Sequence, residues 1–129
     1  MDLATAGPLW LKDERVAHCV VDAFRYGERE LSLYELQAWV LIANHVHILI
    51  YPKANLSRIT KSIKNFSARR ANAILGRTGH PFWQDESYDH WVRGADEEVT
   101  IVRYIEDNPV VAGLVGSSED WRWSSAFGR

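Results

Sequence analysis

The chain has 129 residues, with 47% hydrophobic and 25% charged residues and a formal net charge of −2, values typical of one soluble globular domain with a buried core. Its single cysteine, Cys19, excludes an internal disulfide. No apolar run approaches the roughly 20 residues that a membrane-spanning helix needs, and no basic-then-apolar leader opens the chain. We therefore expect one domain over residues 1–129, in the cytoplasm.

The first elements are predicted from the spacing of apolar residues. A helix is expected from Lys12 to Tyr26, with Gly27 ending it. Strand-forming residues then dominate the segments 34–43 and 46–51. A turn at Asn44 would join these two strands into a hairpin.

A second helix is predicted to begin at a cap, Asn55 or Ser57, and to run to about Leu75, with one apolar stripe along it. A further strand is predicted near residues 87–92. Asp96 is expected to cap a third helix, which ends at Asn108 because proline disfavours helical geometry in the residue before it. The tail after this helix, which holds residues 113–115 and 121–125, is expected to be irregular and packed by its tryptophans.

Positive charge is concentrated in one segment. Residues 53–84 hold seven basic residues and no Asp or Glu, whereas the rest of the chain holds the other eight (15 − 7) and all 17 acidic residues. Such a stretch can attract phosphate groups locally. Charge alone leaves open the alternative of a solvated helix face.

Two histidines stand two positions apart in a strand-like apolar run, His47 within the segment 46–51 and His45 directly before it. His45 and His47 should therefore point to the same face, where two imidazoles can bind one cation. The same spacing also occurs in hydrogen-bonded core histidines, so this pair alone leaves a structural role open.

Tyr104 and Asn108 stand four positions apart on the third predicted helix and share a face. Taken singly, the tyrosine could be a packing residue and the asparagine a helix stop. Together with His45 and His47 they supply the parts of one site: three ligands that leave open positions on Mg²⁺ or Mn²⁺, and a phenolic nucleophile. The set indicates metal-assisted phosphodiester cleavage.

Several segments carry a family resemblance. Residues 44–47, Asn-His-Val-His, resemble the HUH motif of single-strand DNA transposases and relaxases. Residues 104–115 resemble the helix that bears the catalytic tyrosine in the REP-associated tyrosine transposases, relatives of the IS200/IS605 group. Residues 82–93 and 121–125 fit the same family. The similarity runs in the family's order from about Pro8 to the C-terminus.

The resemblance implies cleavage and rejoining of single-stranded or hairpin DNA through a 5′-phosphotyrosine intermediate. It assigns Tyr104 as the nucleophile and His45 and His47 as ligands of a divalent metal, Mg²⁺ or Mn²⁺. Asn108 matches a place where IS200/IS605 enzymes carry a Gln ligand. Asp89 also matches a position near the family's site, either as a ligand or as a structural hydrogen-bonding group.

The implied fold is an α+β, ferredoxin/RRM-like antiparallel sheet with helices on one face. The predicted order α-β-β-α-β-α lacks the strand that a βαββαβ core has before its first helix. Residues 1–8 look too short and too poor in strand formers to supply it. We therefore expect an N-terminally truncated or divergent domain, or a homodimer made by strand or helix exchange.

The expected partner is a short imperfect DNA hairpin with single-stranded flanks. Basic residues of the second helix would contact its phosphates without reading sequence: Arg58, Lys61, Lys64, Arg69 and Arg70. Two other functions stay open. One is a relative that binds DNA hairpins without cleaving them, and the other is a small metal-binding or hydrolytic protein with no nucleic-acid role.

Overall fold

The computed structural model describes residues 2–5, 10–42, 45–83 and 95–129. Its strands are β1 (Asp2–Thr5), β2 (Tyr34–Ile42) and β3 (His45–Pro52), and its helices are α1 (Glu14–Arg29), α2 (Leu56–Leu75) and α3 (Ala95–Val111). Two short 3-10 helices cover Trp10–Lys12 and Ser118–Asp120. The strand predicted near residues 87–92 lies outside the described residues.

The strands form one antiparallel sheet in the order β1-β3-β2. The expectation that residues 1–8 supply no strand is therefore wrong. Asp2–Thr5 pair with the edge of β3, with Asp2 opposite His47 and Thr5 opposite His45. Strand pairing uses backbone groups, so a neighbouring strand edge can outweigh the weak strand preference of these four residues.

The connectivity β1-α1-β2-β3-α2 is that of a ferredoxin-like core, and the antiparallel α+β fold class is confirmed.

Helices cover both faces of this sheet. Trp39, Leu41, Val46 and Ile48 share one buried cluster with residues of α1 and α2. The alternate residues Ala38, Val40 and Leu49 form a second cluster with Ile101 and Ile105 of α3. Because successive strand residues face opposite ways, α1 and α2 lie on one face and α3 on the other. The expectation of helices on one face thus holds for α1 and α2 but not for α3.

Two helix ends differ from their predictions. Helix α1 continues through Gly27 to Arg29, because Gly27 is a point of close packing: a Cβ there would lie 2.5 Å from the hydroxyl oxygen of Tyr34. Helix α3 includes Asp96 and runs past Pro109 to Val111. Asn108 stays helical, and its carbonyl accepts a hydrogen bond from Ala112 N at 3.0 Å.

The other elements predicted within the described residues are confirmed. Strands β2 and β3 pair antiparallel with Ile42 opposite His45, as the predicted hairpin requires, while its turn residues 43–44 lie outside the described residues. Helix α2 begins after Asn55, whose side chain accepts from Arg58 N, and ends at Gly76 in the left-handed conformation, φ 68°. The tail lacks long regular elements and packs through its tryptophans, since the indole N–H of Trp121 donates to Leu41 O at 2.9 Å.

Candidate active site

The hairpin places both histidines on the face of the sheet that α3 covers. In the β2–β3 ladder Ile42 lies opposite His45 and Val40 opposite His47. The two imidazole rings are nearly parallel, at an interplanar angle of 9°, and their centroids are 6.2 Å apart. His47 is half-buried and His45 exposed. Since β3 pairs on both sides, the backbone under this pair is held by β1 and by β2.

Helix α3 brings a tyrosine to this pair. Ile101 and Ile105 anchor the helix on the sheet, among Ala38, Val40 and Leu49. Tyr104, next to Ile105, meets the His47 ring edge to face, with the centroids 6.2 Å apart and an interplanar angle of 87°. Its side chain is 58% exposed. The hydroxyl is therefore open to a substrate while the ring contacts a candidate metal ligand.

A hydrogen bond also joins α3 to the same face of β3. Tyr51, two alternations beyond His47 on β3, donates its hydroxyl hydrogen to a carboxylate oxygen of Glu98. This hydrogen bond, with the negative charge of Glu98, raises the pKa of Tyr51. The pairing was not predicted, because the two residues are far apart in sequence and each looks like an ordinary surface residue.

Asn108 lies one helical turn, about 6 Å, beyond Tyr104 on α3. It is half-buried. Its ligation of a metal stays a prediction. Within the described part of the chain, no group of three or more His, Cys, Asp or Glu side chains is placed to hold a metal ion. A third protein ligand would thus be an amide such as that of Asn108, or Asp89, which lies outside the described residues.

The donor set fits a divalent cation. The two imidazoles lie on one face with centroids 6.2 Å apart, so that side-chain rotation can bring one nitrogen of each ring to the same ion. Two nitrogen donors and one amide oxygen leave positions for phosphate oxygen and water, as a catalytic Mg²⁺ or Mn²⁺ requires. Which ion binds stays a prediction.

The predicted DNA-contacting residues all lie on α2, on the opposite face of the sheet from the histidines. Arg58, Lys61 and Arg69 are exposed. An α-helix turns about 100° per residue, so these three residues lie within an arc of about 80° around the axis of α2 and share one side of the helix. Lys64 is half-buried. Arg70 is engaged within the domain, 3.8 Å from Asp22 of α1 and stacked over Phe66 at 4.5 Å.

Aromatic side chains can stack on unpaired bases, and the sequence offers three candidates beyond α2: Phe82, Trp83 and Trp91. Phe82 is buried in the α1–α2 core and stacks on Trp10. The half-buried Trp83 donates its indole hydrogen to the Ser67 hydroxyl at 3.0 Å. These contacts favour packing roles for both residues. Trp91, the third candidate for base stacking, lies outside the described residues.

The C-terminal tail supplies a network that the sequence did not indicate. Ser125 pairs with Trp39 through the backbone, N to O at 2.9 Å, and its hydroxyl donates to Glu106 of α3 at 2.6 Å. Glu106 is buried and also accepts from the guanidinium of Arg129 at 2.5 Å. The tryptophans of the tail and the resemblance of residues 121–125 to a family segment indicated that the tail packs on the domain, but neither signal indicated this network.

Comparison with known proteins identifies the family of this chain. A family model described as IS200-like transposase matches residues 16–108, a span that includes both histidines and Tyr104. The chain belongs to the IS200-like transposase family. The resemblance expected from the sequence is thereby confirmed.

A solved structure extends the match beyond that span. It is described as the REP-associated tyrosine transposase bound to a REP hairpin, and it matches with a TM-score of 0.68. The two chains are 23% identical, and the match covers 96% of this chain and 72% of the other. No curated protein gives a significant match. Among the described residues, no helix is long and apolar enough to cross a membrane.

Proposed function

We propose that this IS200-like transposase cleaves and rejoins single-stranded or hairpin DNA, with Tyr104 as nucleophile. The observation that carries the proposal is the edge-to-face contact between Tyr104 and His47. It joins the candidate nucleophile to the candidate metal ligands across two elements that are far apart in sequence. The exposure of Tyr104 leaves room for a phosphodiester at its hydroxyl.

In this reaction the phenolic oxygen of Tyr104 forms a bond to the scissile phosphorus while the bond from phosphorus to the 3′ oxygen breaks. The proton leaves the phenol, the 3′ oxygen takes one up, and the 5′ phosphate remains on the protein. Rejoining reverses these changes with a 3′ hydroxyl as the attacking group. His45, His47 and Asn108 would hold a divalent ion, and such an ion would supply a positive charge that polarises the phosphate and offsets charge on the leaving oxygen.

The expected substrate is a DNA hairpin with single-stranded flanks. A similar solved structure has a REP hairpin bound, and the exposed cations of α2 offer phosphate contacts. Because α2 and the Tyr104 site lie on opposite faces of the sheet, one DNA molecule must pass around the edge of the sheet to reach both. A duplex on α2 with a single-stranded flank at the site satisfies this requirement.

Strand β1 weakens one argument for a non-catalytic relative. The apparent absence of a strand before α1 favoured that alternative, because a sheet without this strand would hold the site loosely. With β1 paired to β3 at Asp2–His47 and Thr5–His45, the strand under both histidines is supported on its second side. The homodimer stays a prediction, which gel filtration at two protein concentrations tests.

The experiment compares cleavage and binding of a labelled hairpin by matched variants. Wild type should cleave with Mn²⁺ and not with EDTA, and Tyr104→Phe should bind the hairpin normally without cleaving it. His45→Ala and His47→Ala should lose cleavage as well. Tyr26→Phe is the matched control, because Tyr26 is an exposed tyrosine of α1 that stacks on Phe66, away from α3.

Each alternative predicts a different pattern. A hairpin binder without catalysis would bind in all variants and cleave in none, including wild type. A metal-binding protein with no nucleic-acid role would show no hairpin binding that weakens with salt. Cleavage that survives in Tyr104→Phe would contradict the nucleophile assignment.

A further inference from the structure

The C-terminal tail forms a bridge between the helix of the nucleophile and the sheet of the metal ligands. Residue Ser124 makes a backbone bridge to Val40 of β2, and Val40 lies opposite His47 in the ladder. On the other side of the tail, Ser125 contacts Glu106 on α3. A short chain of contacts thus runs from the strand under His47, through the tail, to the helix of Tyr104.

The bridge is built from buried, short polar contacts. The Glu106 side chain is 8% exposed. One of its oxygens accepts from the Ser125 hydroxyl at 2.6 Å and the other from Arg129 at 2.5 Å. Ser125 Oγ in turn accepts from Trp39 N at 3.0 Å. A buried carboxylate with both oxygens satisfied costs free energy to displace, because any movement would leave it without partners in a poorly solvated place.

Helix geometry relates this bridge to the nucleophile. Tyr104 and Glu106 are two positions apart and therefore lie about 200° apart around the axis, with Ile105 between them. Ile105 is fully buried against the sheet. One flank of α3 is thus fixed at the β2 edge by Glu106, while the other flank carries Tyr104 over His47.

We propose that Glu106 and Ser125 are positioning residues, which fix the rotation of α3 about its own axis and so set the distance from Tyr104 to His47. Side chains lie about 5–6 Å from a helix axis, so a rotation of about 15° moves them by about 1.5 Å. Misplacement of a reacting group by about 1 Å can reduce a rate about 100-fold. This inference rests on the proposed function for its kinetic consequence, but not for its structural one.

The kinetic test measures single-turnover formation of the covalent protein–DNA species at saturating hairpin and Mn²⁺. Ser125→Ala should lower the rate constant about 10- to 100-fold, with the final amplitude and the hairpin Kd unchanged. Ser125→Thr keeps the hydroxyl and should restore most of the rate. Arg122→Ala is the matched control in the same tail, since Arg122 pairs with Glu14 of α1 and not with α3.

A purely structural role of Ser125 predicts a different result. Loss of folded protein lowers the amplitude and leaves the rate constant of the remaining molecules intact. That outcome, or an unchanged rate constant in Ser125→Ala, would overturn the proposal. Glu106→Gln provides a second variant: it keeps an oxygen acceptor but removes the charge paired with Arg129, and its rate constant should also fall.

A second measurement separates this inference from the nuclease assignment. With 3-fluorotyrosine in place of tyrosine, the ¹⁹F resonance of Tyr104 is identified by its loss in Tyr104→Phe. It should shift or broaden in Ser125→Ala and Glu106→Gln and stay in place in Arg122→Ala. If wild type cleaves no DNA but the resonance responds in this way, the proposed function fails and the positioning stands. An unmoved resonance refutes the positioning whether or not the protein cleaves DNA.

Discussion

The contact between Gly27 and Tyr34 predicts an unusual response to substitution. Gly27 lies inside α1, where replacing glycine by alanine ordinarily stabilises a protein by about 1 kcal/mol. Here the new Cβ would meet the Tyr34 hydroxyl oxygen at 2.5 Å and two ring carbons at 2.9 Å. Tyr34 is fully buried, and its hydroxyl donates to Phe24 O at 2.6 Å. The ring therefore cannot give way without losing packing and this hydrogen bond.

The magnitude follows from these contacts. Overpacking in a core costs about 1–3 kcal/mol, and loss of a partner for a buried hydroxyl costs a further 1–3 kcal/mol or so. After subtracting about 1 kcal/mol of helix preference, Gly27→Ala should lower the free energy of unfolding by about 1–5 kcal/mol. Urea denaturation followed by circular dichroism measures this value. Gly116→Ala is the matched control, because a Cβ at Gly116 meets nothing within 4 Å.

A double-mutant cycle tests the cause. Tyr34→Phe removes the oxygen at 2.5 Å but keeps the ring carbons at 2.9 Å. Gly27→Ala should therefore destabilise the Tyr34→Phe background by less than it destabilises wild type, by about 1 kcal/mol or more. If Gly27→Ala stabilises the protein, or if the two substitutions are additive, the close packing of α1 on Tyr34 is wrong.

Three other predictions follow from single contacts. Asn55→Ala should lower the free energy of unfolding by about 1 kcal/mol in urea titrations, because Asn55 caps α2; no change would contradict the cap. Burial, and secondarily the charge of Glu28, raises the pKa of Tyr34. Its contribution to stability should therefore be complete below about pH 10, the pKa of an unfolded tyrosine, and decline as the pH rises further, so Tyr34→Phe should flatten the fall in stability above about pH 10. Lys61→Gln should reduce the slope of log hairpin affinity against log salt by about 1, as expected for one lost phosphate contact, whereas Arg25→Gln on α1 should not; equal slopes in all three proteins would argue against α2 as the DNA surface.

Local signals explain which parts of the fold were predictable. Helix α2 has a cap at Asn55 and a left-handed Gly76 at its end, and both signals act within a few residues. The predicted ends of α1 and α3 were both wrong, and at α1 the cause is distant packing, which overrides the local preference of glycine. Gly27 serves as a contact for Tyr34 instead of a helix stop, and Pro109 is accommodated in the last turn of α3.

The candidate site likewise has parts that local sequence signals predict and parts that depend on contacts between distant segments. His45 and His47 were predictable as a pair because a strand alternates faces with a period of two. Their meeting with Tyr104 was predictable only through the family resemblance, since 57 positions separate Tyr104 from His47 and periodicity does not relate them. The bridge from Glu106 to Ser125 and the pairing of β1 with β3 depend on tertiary contacts between segments whose composition gives no local signal.

The most direct test of the central claim is identification of the residue that carries DNA after reaction. The protein is incubated with a hairpin and Mn²⁺, the DNA is trimmed by nucleases, and tryptic peptides are analysed by mass spectrometry. Trypsin cleaves after Arg103 and Arg122, and residues 104–122 contain Tyr104 as their one tyrosine. We predict a nucleotide on Tyr104 in this peptide, present with Mn²⁺ and absent with EDTA. A nucleotide on another residue, or hairpin cleavage with no modified peptide, would contradict the assignment of Tyr104 as the nucleophile.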